Sequence, residues 1–286
     1  EFDYIRTSNK ETNIRNVHNF DHATIDINDL DSNAWVLTGA EEKSVIDKIE
    51  QAGDTVGEIS EYISQGIKSG DNEVMFVEVD SWEGDILKVY SSADDELYEI
   101  ESEMVRPLVL GNNVKRYDPL DTDLGVIYPY EIRSNESSII PEKELRSEYP
   151  LTHEYLAKFK DRLLDRAESK KFDEYYSLSR PREKELFESA KLVVPDVCQR
   201  SEFTLDESGE IYVSDSAYVV ILDNNSKSTR KCLLSILNST LTWFYIYQTS
   251  PVLRGDFRRF KTSYLEPLPI PKIESGNNAG RYQTQY

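Results

Sequence analysis

The hydrophobic pattern changes period near residue 151, and this commits the chain to a mixed architecture. Before that point, "TVGEISEYISQGI", "EVMFVEV", "DILKVYSS", "ELYEIE" and "GVIYPYEI" have the alternating or clustered apolar residues of strands, with Gly, Asp and Asn between them. The exception is "EEKSVIDKIEQA" (41–52). There Val45, Ile46 and Ile49 share a helical face, acids fill the first turn and Gly53 follows the end. After it, "LTHEYLAKFKDRLLDRAESKKFDEYYSL" spaces Leu151, Tyr155, Leu156, Phe159, Leu163 and Leu164 at helical intervals, predicting one long amphipathic helix with a charged outer face. "AKLVVPDV" and "EIYVSDSAYVVIL" predict buried strands. "STRKCLLSILNSTLTWFYIYQTS" predicts a long apolar helix capped at Ser228 or Thr229, and "YLEPLPIPKI" a proline-punctuated extended exit. The fold class is therefore α+β: a strand-rich first lobe with a mixed sheet, then a lobe of strands bracketed by long amphipathic helices. The expected division is 1–35 as the tail of a preceding domain or a linker, 36–150 and 151–273 as the two lobes, and 274–286 as a disordered tail. The chain opens without Met and mid-pattern, which reads as a fragment of something longer.

Charge follows the same division. The chain holds 33 basic and 53 acidic residues, a net charge of −20. Residues 1–150 carry 13 basic and 34 acidic (−21), residues 151–265 carry 18 and 17 (+1), and the remainder 2 and 2. An average of −20 argues against a phosphate-rich partner, but the second half has lost the acid excess altogether.

Several function classes find no support. The polar triplet Asn238, Ser239 and Thr240 interrupts the most apolar helix, so it reads as a core helix and not a membrane span. Cys198 and Cys232 belong to no Cys/His cluster and read as two buried free thiols of a cytosolic protein. His18 and His22 lie in a polar, irregular segment, a poor metal site. "GIKSGDN" is glycine-rich but is neither a GxxxxGK[ST] cradle nor GxGxxG, and no GxSxG or HExxH occurs. Asp196 in "VVPDV" sits at a strand end, with no second ligand placed by spacing. No catalytic centre is read in the chain.

Basic residues beside aromatics and turn formers are the stronger theme. "NNVKRYD" holds Lys115 and Arg116, "SLSRPREKELF" holds Arg180 and Arg182, and "VCQRSEF" holds Arg200. "PVLRGDFRRFK" holds Arg254, Arg258, Arg259 and Lys261 against the one acid Asp256. In that stretch Phe257 and Phe260 are expected to anchor a bend at Gly255 while the three arginines point outward. In "GIKSGDN", glycines permit close backbone approach, and Lys68 and Asn72 complete a candidate DNA-facing set. Loop cations of this kind suit contacts to phosphates and base edges.

The order "GIKSGDNEVMFVE", "VRPLVLGNNVKRY", "GVIYPYE", "YPLTHEYLAKFKDRLLDR", "YYSLSRPREKELFESAKLVVPDV", "EIYVSDSAYVVIL", "LLSILNSTLTWFYI", "SPVLRGDFRRFKTSYLEPLPIP" resembles the TaqI-like C-terminal specificity domain over roughly Trp35 to Ile273. "VLGNNVKRY" departs from a more charged run in relatives. The resemblance implies the double-stranded DNA target-recognition module of a restriction–modification adenine-N6 methyltransferase in a prokaryotic cytoplasm. Its implied partners are DNA and a methyltransferase domain of the same chain. S-adenosylmethionine would belong to that domain; the NPPY motif that accompanies it is absent here. The competing expectation is an acidic protein-interaction domain of a phage-defence assembly, with little DNA binding of its own.

Overall fold

The computed structural model describes residues 2–5, 22–25, 40–133 and 136–271. The class is α+β. Most of residues 1–35 and the whole tail 274–286 lie outside the described residues, as does His18. The segment expected to be irregular contains a strand pair: Phe2–Ile5 runs antiparallel to His22–Ile25.

Two sheets organise the rest. One has four antiparallel strands in the order Thr204–Asp206, Lys191–Pro195, Ala217–Leu222, Ser60–Gln65. Both its faces are covered. Val193, Ala217 and Val219 join one core, while Leu192, Val194, Tyr218, Val220 and Leu222 join the other. A strand buried on both sides has no polar face, which is why "KLVVP" and "AYVVIL" show no alternation. The second sheet has six strands, in the order Tyr212–Val213, Val105–Val109, Leu124–Ile127, Phe76–Val79, Ile86–Ser91, Glu96–Glu101. It is mixed: Tyr212–Val213 pairs parallel with Leu108 and Val109, and the other pairings are antiparallel.

The change of texture at 150/151 is not a change of core. Strand Ser60–Gln65 from the acidic half completes the four-stranded sheet, and Tyr212–Val213 from the later half edges the six-stranded one. Both cores take residues from both sides of the boundary.

Local structure departs from expectation in three segments. "EVMFVEV" is one helical turn, Asn72–Met75, before strand Phe76–Val79; the Asp71 carboxylate accepts from the Val74 N–H and caps that turn. The long amphipathic helix is two, Pro150–Lys158 and Lys160–Leu164, divided at Phe159. Tyr155, Leu156 and Leu163 of its apolar stripe are fully buried as expected, but Leu164, counted on that stripe, is 49% exposed. The apolar helix also divides, into Lys227–Leu237 and Thr240–Thr249, and its first cap is Ser226 in place of Ser228 or Thr229. Asn238 occupies the break, fully buried, donating to the Phe203 carbonyl at 2.8 Å and accepting from the Phe203 N–H at 2.9 Å. Ser239 caps the second helix by accepting from the Thr242 N–H. No helix among the described residues is long and apolar enough to cross a membrane. "LPIP" is extended as expected: Pro269–Pro271 pairs antiparallel with Gly53–Thr55.

Candidate nucleic-acid interface

Three strands of the four-stranded sheet end together, with Gln65 opposite Tyr218 and Pro195 opposite Ala217. Asp196 is the next residue. Its N–H donates to the Ser216 carbonyl at 2.8 Å, and its carbonyl accepts from the Phe260 N–H at 2.8 Å. The second bond ties the hairpin Val252–Leu253/Phe257–Arg259 to the sheet end, and pairing of Val197 with Arg259 and Cys198 with Arg258 extends the tie. Gly255 (φ +83°) and Asp256 (φ 63°) turn the hairpin in left-handed backbone conformations, the bend the sequence placed at Gly255. Ser250 Oγ accepts from the Arg259 N–H and donates to its carbonyl, at 3.1 and 3.0 Å. The Arg259 backbone is thereby held on every side, while its side chain remains 41% exposed and sets Nη1 3.4 Å from Asp196 Oδ2.

Arg180 and Arg182 arrive from the opposite side. Arg180 exchanges both backbone hydrogen bonds with Lys68, at 2.9 and 3.1 Å. Its Nη1 donates to Gln65 Oε1 at 3.2 Å, and Gln65 Nε2 in turn donates to the Asp215 carbonyl. Arg182 donates from Nε to the Gly66 carbonyl at 3.2 Å. Tyr218 pairs in register with Gln65 and Val194 at this end. Burial pushes its pKa up, Asp196 adds to that, and Arg259, Arg182 and Arg180 oppose it. Asp196 is itself raised above the usual carboxylate range by burial, against the pull of Arg259 and Lys261. Arg180 at Gln65, Arg182 at Gly66 and Arg259 at Asp196 thus gather around one sheet end, and Lys261 follows Phe260, whose N–H bonds the Asp196 carbonyl.

Other predicted residues flank this cluster. Lys115 and Arg116 follow the Gly111–Asn113 turn, both exposed; the Arg116 guanidinium lies 5.1 Å from the Tyr117 ring centre, and Lys115 is close enough to influence the Cys198 thiol. Arg200, exposed, reaches Glu202 at 3.1 Å. Gln199 Nε2 donates to the Gly255 carbonyl at 2.8 Å, which brings the Arg200 turn to the hairpin tip carrying exposed Arg254. Lys68 contributes its backbone to Arg180, with its side chain half-buried.

Two expectations fail. Arg258 does not point outward: it is fully buried, its Nε donates to the Tyr247 carbonyl at 3.2 Å, and its guanidinium stacks 4.1 Å from the Tyr247 ring centre. Residues alternate across a strand, so Arg258 takes the face opposite Phe257 and Arg259. Asn72 is exposed; its Oδ1 accepts from Ser69 Oγ at 2.5 Å, and its neighbours Asp71 and Glu73 are both ion-paired to Arg162. Its surroundings are anionic. Of the two thiols expected to be buried, Cys198 is, and burial pushes its pKa up; Cys232 is only half-buried.

Sequence reasoning found no role for Gln65, Tyr218 or Ser216, and weighed Asp196 only as a metal ligand. Gln65 and Arg180 stand 115 positions apart, and nothing local links them. Among the described residues, no three His, Cys, Asp or Glu side chains come together as a metal site. An open depression is lined by Thr55, Glu58, Glu61, Tyr62, Ser263 and Glu266, with the Thr55 hydroxyl donating to Glu58 Oε2 at 3.1 Å.

The family model of the TaqI-like C-terminal specificity domain matches residues 106–270, narrower than the Trp35–Ile273 span the motifs outlined. Among curated proteins, the chain is 28% identical over 276 residues to the Type II restriction enzyme and methyltransferase RM.Eco57I of Escherichia coli, covering 88% of this chain and 27% of that protein. It is 24% identical over 239 residues to the Type II methyltransferase M.PaeR7I of Pseudomonas aeruginosa, covering 83% of this chain and 37% of that one. The chain thus spans between a quarter and two fifths of the relatives' lengths. Among solved structures, the Type IIL restriction-modification enzyme MmeI in complex with DNA aligns at TM-score 0.47, 13% identity and 78% of this chain against 26% of that one. The type IIG restriction endonuclease BpuSI aligns at 0.49, 13%, 85% and 27%. With the match covering more than half of its length, this chain belongs to the TaqI-like C-terminal specificity domain family.

Proposed function

We propose that this chain is the double-stranded DNA target-recognition module of a restriction–modification adenine-N6 methyltransferase. The observation that carries the reading is the gathering of Arg180, Arg182, Arg259 and Lys261 at one sheet end, with the backbones of Arg180 and Arg259 fixed by hydrogen bonds. Pinned cations lose little order on meeting a phosphate, and in an otherwise acidic molecule they mark one place where DNA can approach. Lys115, Arg116, Arg200, Arg254 and Lys68 flank this centre as phosphate contacts. Methyl transfer belongs to a partner domain that holds S-adenosylmethionine, on DNA in a prokaryotic cytoplasm; this module positions that domain on its site.

Filter binding of duplex DNA at two salt concentrations tests the reading. Binding is expected to weaken steeply with salt and to collapse in Arg180→Ala, Arg259→Ala, Lys261→Ala combined. Binding indifferent to the triple substitution rejects this choice of site, and no duplex binding at all, even by the full-length parent, rejects the reading in favour of an acidic protein-interaction domain.

A further inference from the structure

Asp196 is an odd member of a cationic cluster. Its Oδ1 is buried and accepts no hydrogen bond among the described residues. Its Oδ2 has only the long 3.4 Å contact to Arg259. Structural carboxylates in this molecule are treated differently: Asp206, more deeply buried, accepts from Lys191 Nζ and from the backbone N–H groups of Ser208, Gly209 and Ile211. Unsatisfied buried acceptors are rare and costly, and this one is not needed for the turn, because the Asp196 backbone already makes both of its bonds. Nor does it aid phosphate binding. A carboxylate beside Arg259 and Lys261 repels phosphate and cancels part of their charge.

A carboxylate and a guanidinium side by side, both on fixed backbone, suit a base pair better than a phosphate. Carboxylates accept from the N4 amino group of cytosine in the major groove, and guanidinium groups donate in a fork to O6 and N7 of guanine. Arg259 uses only Nη1 on Asp196, leaving the rest of its donors for another acceptor. We propose that Asp196 and Arg259 together read one G·C base pair, Asp196 taking the cytosine amino group and Arg259 the guanine edge. The assignment rests on the DNA-recognition reading above.

Selection of bound duplexes from a randomised pool by the whole chain tests it, with wild type, Asp196→Asn, Asp196→Glu and Arg259→Lys compared after circular dichroism confirms folding. The wild type is expected to enrich a site with one invariant G·C pair. Asp196→Asn should lower the cytosine preference there roughly tenfold and admit A·T pairs, because an amide donates as well as accepts. Asp196→Glu, still acceptor-only, keeps cytosine. Arg259→Lys should loosen the guanine preference at the same position and no other. If Asp196→Asn does not fold, Arg259→Lys decides: the assignment stands if one G·C position loosens, and falls otherwise. A consensus untouched by Asp196→Asn, or loosened equally at every position, overturns the pair and leaves the DNA reading standing. A wild type that selects no sequence overturns both.

Discussion

Arg258 and Asp196 are both unsatisfied in part, and the chemistry of each gives a separate expectation. Neither Nη atom of Arg258 has a hydrogen-bond partner among the described residues; Nη2 lies 3.5 Å from the exposed Asp256 carboxylate. Stacking on Tyr247 contributes roughly 2 kcal/mol when the cation is desolvated. Burial of the charge costs more than that if nothing else pairs it, so a well-packed apolar replacement is tolerated. Arg258→Met should therefore melt within a few degrees of wild type and keep DNA affinity within about twofold, whereas Arg258→Ala leaves a cavity and costs roughly 2–4 kcal/mol. Thermal melts and filter binding check both. A large loss of affinity in a folded Arg258→Met would return Arg258 to the DNA-contacting set. At Asp196, burial makes the folded protein hold a proton more tightly than the unfolded chain does. Its ionised form therefore opposes folding above the raised pKa, and the opposition fades as pH falls through it toward the ordinary value of 3.8. Asp196→Asn should be more stable than wild type near pH 7, with the advantage narrowing near pH 4. Equal differences at both pH values would show that ionisation is not the cause.

Elements were legible where their signals are local and misread where they are not. The apolar stripe of the helices at 150–164, the buried strands and the exit strand "PIP" all follow from periodicity and proline chemistry. The helix break at Asn238 was visible as a polar triplet, but its cause is Phe203, 35 positions away. Likewise, the three arginines of "PVLRGDFRRFK" were picked out as basic residues of one loop, yet only strand pairing decides that Arg258 faces inward while Arg259 faces out. The four-stranded sheet contains a buried ion pair that composition conceals. Lys191 Nζ lies 2.7 Å from Asp206 Oδ2, with both side chains essentially inaccessible, and Asp206 gathers the backbone of the 206–211 turn. That turn delivers strand Tyr212–Val213 to the other sheet. Asp206→Ala should cost roughly 3–5 kcal/mol, because it strands a buried ammonium and frees the turn together. Chemical denaturation measures the loss; a change below about 1 kcal/mol would mean the turn holds without its carboxylate.

At the scale of the whole molecule, charge and core are divided differently. The excess acid belongs to residues 1–150, but both sheets are built from both halves. The acidic half therefore cannot be shed, and its field acts on any DNA that approaches the cluster. If Arg180, Arg182 and Lys261 neutralise about one phosphate each, they contribute roughly −2.7 to the slope of the logarithm of the binding constant against the logarithm of salt concentration, and the flanking cations add to it. Acids remote from the cluster change something else. The hairpin Ile86–Ser91/Glu96–Glu101 forms the edge of the six-stranded sheet opposite Tyr212–Val213, the strand that leads into Ser214 and Ser216 beside Asp196. Glu83, Asp85, Glu96 and Glu99 are exposed on or next to that hairpin. They lie too far along the sheet to touch the same phosphates and act only through a screened, long-range repulsion. Replacing all four with their amides should raise affinity for nonspecific duplex several-fold at low salt, lose that gain near 0.15 M salt where screening is about 8 Å, and leave selectivity among sequences unchanged. Filter binding with specific and random duplexes across a salt series separates the terms. A change in selectivity would place those acids at the interface, and no change in nonspecific affinity would mean that the acidic half serves a purpose other than repelling the wrong DNA.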